Sequence, residues 1–170
     1  MENRRSLPPF LPLALVWLVF AAYVWLTAGY LPERVATHFG MNGEPNGWET
    51  QAGYVRFTLI FGAVVPAFVL TIFALMRLGN GAGINIPHKD YWLAPERRGQ
   101  TFAFIQRQVA WFAMLLIAFF AGMHYTILAA NAHSPATLPP SGAIWLGGVF
   151  IVATIGWVVI FVGHFFCRPA

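Results

Sequence analysis

Four apolar runs set the terms on which this chain can fold: Phe10 to Tyr30, Tyr54 to Met76, Val109 to Ala130, and Ala143 to Phe166. Crossing the hydrocarbon of a bilayer takes about 20 helical residues at about 1.5 Å rise each, and each run is about that long. In lipid the backbone must bond to itself, so helices are the expected form. Membrane strands would be shorter and would alternate in polarity, and these runs do not alternate. The composition agrees: 58% of the residues are hydrophobic and 9% are charged, whereas a soluble domain carries about a quarter charged residues.

The formal charge of +4 is distributed in a way that fixes orientation. Arg4 and Arg5 precede the first run. Arg77, Lys89, Arg97, Arg98 and Arg107 lie between or beside the second and third. Arg168 follows the fourth, and only Arg34 and Arg56 fall on the other side. The positive-inside rule therefore predicts that both termini and the middle loop face the cytoplasm. Basic residues spread this way imply no nucleic acid. The first run is too long for a signal peptide and lacks a small-x-small cleavage site, so it reads as a retained anchor. The lone Cys167 permits no internal disulfide, and Cys167-Arg-Pro-Ala170 is not a prenylation box because Arg and Pro are not aliphatic.

The expected architecture is an all-α membrane protein, a single integral domain over 1–170. Its helices span about 10–30, 54–76, 96–130 and 143–166. The third begins on the cytoplasmic side, where Pro95 suits a first helical position and Glu96 the positive dipole end. Pro66 should kink the second helix. Gly148 and Gly156, two turns apart, predict a packed seam along the fourth.

The two long loops are elaborate. In the outer loop, 31–53, Val35 to Phe39 is of strand type, with Ala36 and His38 facing away from Val35, Thr37 and Phe39. Asn42-Gly43 and Asn46-Gly47 each suit a tight turn, with Pro45 stiffening the segment between them. Trp48 can fold back on the strand or anchor at the interface. The expected product is an ordered lid, longer than the roughly 4–6 residues a plain connector needs. Its ligand- or partner-binding candidates are His38, Phe39, Asn42, Gly43, Pro45, Asn46, Gly47 and Trp48. The cytoplasmic loop offers Asn85, Pro87, Asp90, Tyr91, Trp92, Glu96, Arg97 and Arg98, a set whose ordinary use is to tie a loop to helix ends. Residues 131–142 read as a plain outer connector.

Chemistry is sparse. No Asp or Glu lies within an apolar run, which leaves a proton relay without a mid-depth carboxylate. Neither Gly-x-Ser-x-Gly nor His-Glu-x-x-His occurs, and the glycines of 79–83 follow a helix rather than a strand, unlike a phosphate loop. His38, His124 and His133 fall toward the outer side and are the only metal-ligand alternative, without a known ligand spacing. The ordinary account of His124 is a packed polar residue bonded to a neighbouring helix. His164 reads as an interfacial residue without a role. No catalytic residue, cofactor or metal is expected.

Leu31-Pro32, Val35-Ala-Thr37-His38-Phe39 and Gly43-Glu-Pro45-Asn46-Gly47-Trp48 together resemble the signature of domain-of-unknown-function 1648, over roughly residues 15–65. The stretch Asn85-Ile86-Pro87 through Lys89-Asp90-Tyr91-Trp92-Leu93-Ala94-Pro95-Glu96-Arg97-Arg98 is similar to a segment found downstream in such proteins. The domain also occurs in SdpI-type immunity proteins, which are longer. The resemblance implies a bacterial cytoplasmic (inner) membrane and a module that handles a secreted peptide or signals its presence, with no agreed reaction.

The expectation is a multi-pass membrane protein that binds or signals through its outer loop. Its partners would be the lipid bilayer, a protein or peptide at the outer loop, a cytoplasmic partner, and a second copy in a homo-oligomer. A small transporter or accessory subunit is the second reading. A metal-dependent membrane enzyme is the third.

Overall fold

The computed structural model describes residues 10–81 and 83–167. The tail 1–9 with Arg4 and Arg5, Ala82 of the glycine run, and Arg168 to Ala170 lie outside the described residues. Helix α1 runs Phe10–Thr27 and ends in a 3-10 turn, Ala28–Tyr30. Strands β1 (Arg34–Phe39) and β2 (Pro45–Thr50) follow. Then come α2 (Gln51–Leu78), a single turn α3 (Lys89–Trp92), α4 (Arg98–Asn131) and α5 (Pro140–Phe166). Among the described residues, four helices are long and apolar enough to cross a membrane. The all-helical expectation needs one correction, because β1 and β2 form an antiparallel hairpin.

Helix boundaries depart from the apolar runs for local reasons. α2 begins before Tyr54 because Thr50 caps it, its hydroxyl accepting from the Gly53 N–H at 3.1 Å. Gln51 holds that end in place, its side chain donating to the carbonyls of Ala28 and Leu31 at 2.9 and 2.7 Å. α4 begins at Arg98, not at 96. The chain turns tightly through Ala94–Arg97, with the N–H groups of Arg97 and Arg98 both bonding to Ala94 O. Pro95 and Glu96 are therefore turn residues outside the helix. α5 begins at Pro140, where a missing N–H costs nothing.

α4 is the hub: α1, α2 and α5 all pack on it, whereas α5 packs chiefly on α4 alone. At 34 residues it measures about 51 Å, well beyond the roughly 30 Å of hydrocarbon. Two apolar clusters fill the bundle. One, at the hairpin end, gathers Phe20, Val24, Val35, Tyr54, Val55, Ile117 and Ile127. The other, at the α3 end, gathers Phe73, Ile84, Ile86, Trp92, Phe102, Ile105 and Phe165.

Close approach depends on glycines other than those expected. A methyl group on Gly62 would run into the ring of Phe20, and one on Gly122 would run into Leu146. Gly148 and Gly156 have open space beside them, so they make no seam inside the bundle. Pro66 lies within a continuous α2.

The hairpin itself is irregular. Gly43 takes φ +78° in the turn that Gly40 to Gly43 closes, as Asn42-Gly43 predicts. Asn46-Gly47 is not a turn: both residues lie in β2, and Gly47 pairs with His38. Glycine leaves room there for the His38 side chain, which crosses it 3.0 Å from where a Cβ would stand. The register shifts between Ala36 and His38, a bulge that re-aims side chains. Val35 and Ala36, successive residues before that shift, are both buried. Thr37 Oγ1 and His38 Nδ1 come within 3.2 Å of each other instead of facing apart.

Candidate functional site

Two side chains decide how the hairpin end of the bundle is built. Asn131, in the last turn of α4, reaches the bulge in β1. Its Oδ1 accepts from the Ala36 N–H at 2.8 Å, and its Nδ2 donates to Ala36 O at 2.9 Å. One amide thus acts as a third strand for a single residue and locks the hairpin to α4. The connector 131–142 joins in, since Leu138 N–H donates to Gly43 O at 3.0 Å. It is more than the plain link expected.

The second is His124, 1% exposed at the junction of α1, α2 and α4. Thr27 Oγ1 lies 2.8 Å from Nε2, and the Tyr54 hydroxyl lies 2.9 Å from Nδ1. The Thr27 hydroxyl donates its one proton to Tyr23 O at 2.7 Å. With its proton there it accepts from the ring, an arrangement that assigns the proton of the neutral imidazole to Nε2. In that tautomer Nδ1 accepts from the Tyr54 O–H. Tyr23 meets the same ring edge-on, with centroids 5.1 Å apart. A polar group in a membrane span is bound here on both nitrogens, one link to each neighbouring helix. This is the packed, helix-bridging role the residue type suggests.

Beside this hub opens a cavity of about 510 Å³, within the range of small-molecule sites. Two helix faces form its walls with the same spacing. α2 supplies Tyr54, Phe57, Thr58 and Phe61, and α4 supplies Phe120, Met123, His124 and Ile127. Both sets run i, i+3, i+4, i+7, the pattern of one helix face. The hairpin closes the top with Thr37, His38 and Glu49. The lower wall is aromatic: Phe57 stacks on Phe61 at 5.1 Å, and Phe61 meets Phe120 edge-on at 5.5 Å. Phe57 is 61% exposed, and Phe61 and Met123 each 44%. The cavity is thus a groove open on the bundle's apolar flank, with a polar mouth at the hairpin.

Of the outer-loop candidates, only His38 lines this groove. Phe39 packs against the core, Asn42 and Gly43 build the turn, and Pro45 pairs with Phe39. Asn46 is exposed on β2, and Trp48 lies under the guanidinium of Arg34 at 5.0 Å. Of the groove residues that loop reasoning missed, Thr37 and Glu49 lie in the loop itself and the others on α2 and α4. Their signal was available as the repeated helix-face spacing in the second and third apolar runs.

At the α3 end the candidates are mostly structural. Trp92 is buried, and its Nε1–H donates to Phe165 O at 3.0 Å. Thr101 Oγ1 donates to Trp92 O at 2.7 Å, and Arg98 Nε donates to Leu93 O at 3.1 Å. Arg97 stacks over Tyr91 at 4.1 Å. His164 lies flat on Phe104 at 3.7 Å and is far from idle in the packing. Asp90 borders a shallow depression of about 320 Å³ with Lys89 and Asn80. Asn85, Pro87 and Glu96 line neither cavity.

Among the described residues, no group of three His, Cys, Asp or Glu side chains is placed to hold a metal, so His38, His124 and His133 do not converge.

Residues 13–64 match the family described as "Domain of unknown function (DUF1648)". That segment takes in most of α1, the whole hairpin and the first half of α2, and so half of the groove. An uncharacterized protein of Archaeoglobus fulgidus is 32% identical over 125 residues. The alignment covers 70% of this chain and 66% of that relative, so the chain spans about two thirds of the relative's length. No solved structure matches the chain.

Proposed function

The chain is a DUF1648-like protein, and on that premise we propose that it is a multi-pass membrane binding module whose ligand lies in the hairpin-capped groove. The observation that supports this is the groove's polarity. Thr37, His38 and Glu49 stand at its mouth, and aromatic rings line the wall that opens toward lipid. A connector needs no such cavity, and a water-borne ligand would not need the open flank. The distribution of Arg and Lys supports an orientation with the hairpin end outside and both termini inside. The resemblance to SdpI-type proteins favours a bacterial inner membrane and an immunity variant of the same reading, in which the groove or its lid meets a toxic peptide.

α4 supplies a route for signalling. It touches the hairpin through Asn131 and the α3 end through Thr101. A ligand that binds one hairpin position better than another would bias that contact, and a cytoplasmic partner at Tyr91 and Arg97 would read the change. Transport has no feature of its own in its favour.

The test uses a photoreactive benzophenone residue at position 58 in the groove and, separately, at position 152 on α5, whose Val152 is 69% exposed. After irradiation in cells, mass spectrometry identifies adducts. A species captured at 58 and absent at 152 supports the reading. The same bulk lipids at both positions overturn it.

A further inference from the structure

We infer that the groove selects a membrane-dissolved, single-chain amphiphile whose head group is an ammonium. The inference rests on the groove reading and adds the chemistry of the ligand.

Glu49 is the one formally charged side chain among those lining the cavity. The two cations of the hairpin end are engaged elsewhere. Arg34 lies over Trp48, and Arg56 Nε donates to Ala52 O of its own helix at 3.2 Å. The polar wall is also biased toward accepting. In the tautomer assigned to His124 the Tyr54 O–H points to Nδ1, and the Tyr54 oxygen also takes the hydrogen bond of the Thr58 side chain. Thr37 has its hydroxyl within reach of Gly47 O at 3.4 Å and His38 Nδ1 at 3.2 Å, both of which can take its proton. A head group seated here meets a carboxylate and hydroxyl oxygens, which reward a cationic donor and repel a second carboxylate.

The tail follows from the helix geometry. From Tyr54 to Phe61 the α2 face runs about 10 Å along the axis, away from the hairpin and into the apolar span. Its rings leave one side open, with Phe57 61% exposed. A molecule standing in the leaflet, head at the surface and chain alongside the helices, enters sideways without leaving the membrane.

The experiment uses the full chain in nanodiscs of phosphatidylcholine. Three photoreactive probes share one hexadecyl chain carrying a diazirine and differ in the head: primary ammonium, hydroxyl or carboxylate. Adducts are mapped by mass spectrometry to Phe57, Phe61, Phe120 and Met123, against Val152 and Val159 on α5 as lipid-facing references. The expected result is groove labelling by the ammonium probe about fivefold above the carboxylate probe, the effect of one partly exposed charge pair. Glu49→Gln should remove the preference and Glu49→Lys reverse it, with folding checked by thermal unfolding. Equal groove labelling by all three heads in the parent chain overturns the ammonium inference and leaves the groove standing. Labelling of the groove no stronger than of α5, whatever the head, overturns the groove reading as well.

Discussion

Each end of the bundle packs a histidine among aromatic rings, and the two ends use it in opposite ways. At the hairpin end His124 spends both ring nitrogens on hydrogen bonds, to Thr27 and Tyr54. At the α3 end His164 is stacked, 3.7 Å from Phe104 and 5.0 Å from Trp92. Hydrogen bonds fix their partners in distance and angle, so the rings around His124 cannot slide together to fill the space beside it. Stacked rings have no such constraint. Trp92, Phe104, Phe161, His164 and Phe165 close on one another, and Trp92 ties the set to the end of α5. A groove persists where polar geometry sets the spacing, and a sealed joint forms where dispersion does. The proposed binding belongs to the first end and anchorage to the second.

The largest effect tests the anchorage. Trp92→Ala removes a buried indole, its contacts with Phe165 and His164, and the bond to Phe165 O. The expected loss is about 3–5 kcal/mol, read as a lowered midpoint of thermal unfolding in detergent. Capture of ligand at position 58 should stay as it was below that midpoint. If capture falls along with stability, the two ends are one cooperative unit and the contrast between them is broken.

His124→Leu tests the other end. It leaves the Tyr54 hydroxyl without its buried acceptor, at an expected cost of about 1–3 kcal/mol. Here capture at position 58 should change along with stability, because Tyr54 shapes the groove wall. Unchanged capture in a folded variant would reduce the histidine to packing.

This contrast was only partly legible in the sequence. The four spans were, because run length in lipid leaves little choice. So were the strand at Val35 to Phe39 and the turn at Asn42-Gly43. Asn46-Gly47 misled because the same dipeptide serves a turn or a close crossing, and only the pairing with His38 separates them. The seam predicted for Gly148 and Gly156 has no counterpart inside the bundle for a related reason: a small residue permits close approach without specifying a neighbour. The groove escaped because it lies between Tyr54 on one span and His124 on another, 70 residues apart. Neither span shows alone that its polar face meets the other.

Asn131→Ala sharpens the comparison at the lid. The variant loses both bonds to Ala36, with an expected cost of about 1 kcal/mol per bond. Hydrogen exchange should quicken at the Ala36 amide and its hairpin neighbours while the amides of Trp92 and Thr101 keep their rates. Asn131→Asp keeps an acceptor for the Ala36 N–H but has no donor for Ala36 O, so it should fall between the parent and the alanine variant. A uniform change across both ends would mean that the clamp sets global stability, and the lid would then have no independent motion.

The smallest effect concerns α5, which belongs to neither end's cavity. Nothing stands within 4 Å of a Cβ built on Gly156, and its neighbours Ile155 and Val159 are 57% and 64% exposed. If lipid alone covers that face, Gly156→Ala meets no clash, and the gain in helix propensity is at most about 1 kcal/mol. The unfolding midpoint should then stay level or rise slightly, and the species seen by native mass spectrometry should not change. A second copy packed against the glycine would reverse the sign. The added methyl would separate the helices, the midpoint would fall, and the oligomer would dissociate. That outcome would give the exposed glycines of α5 the close packing they lack inside the bundle, and would put a third kind of joint beside the hydrogen-bonded and the stacked ones.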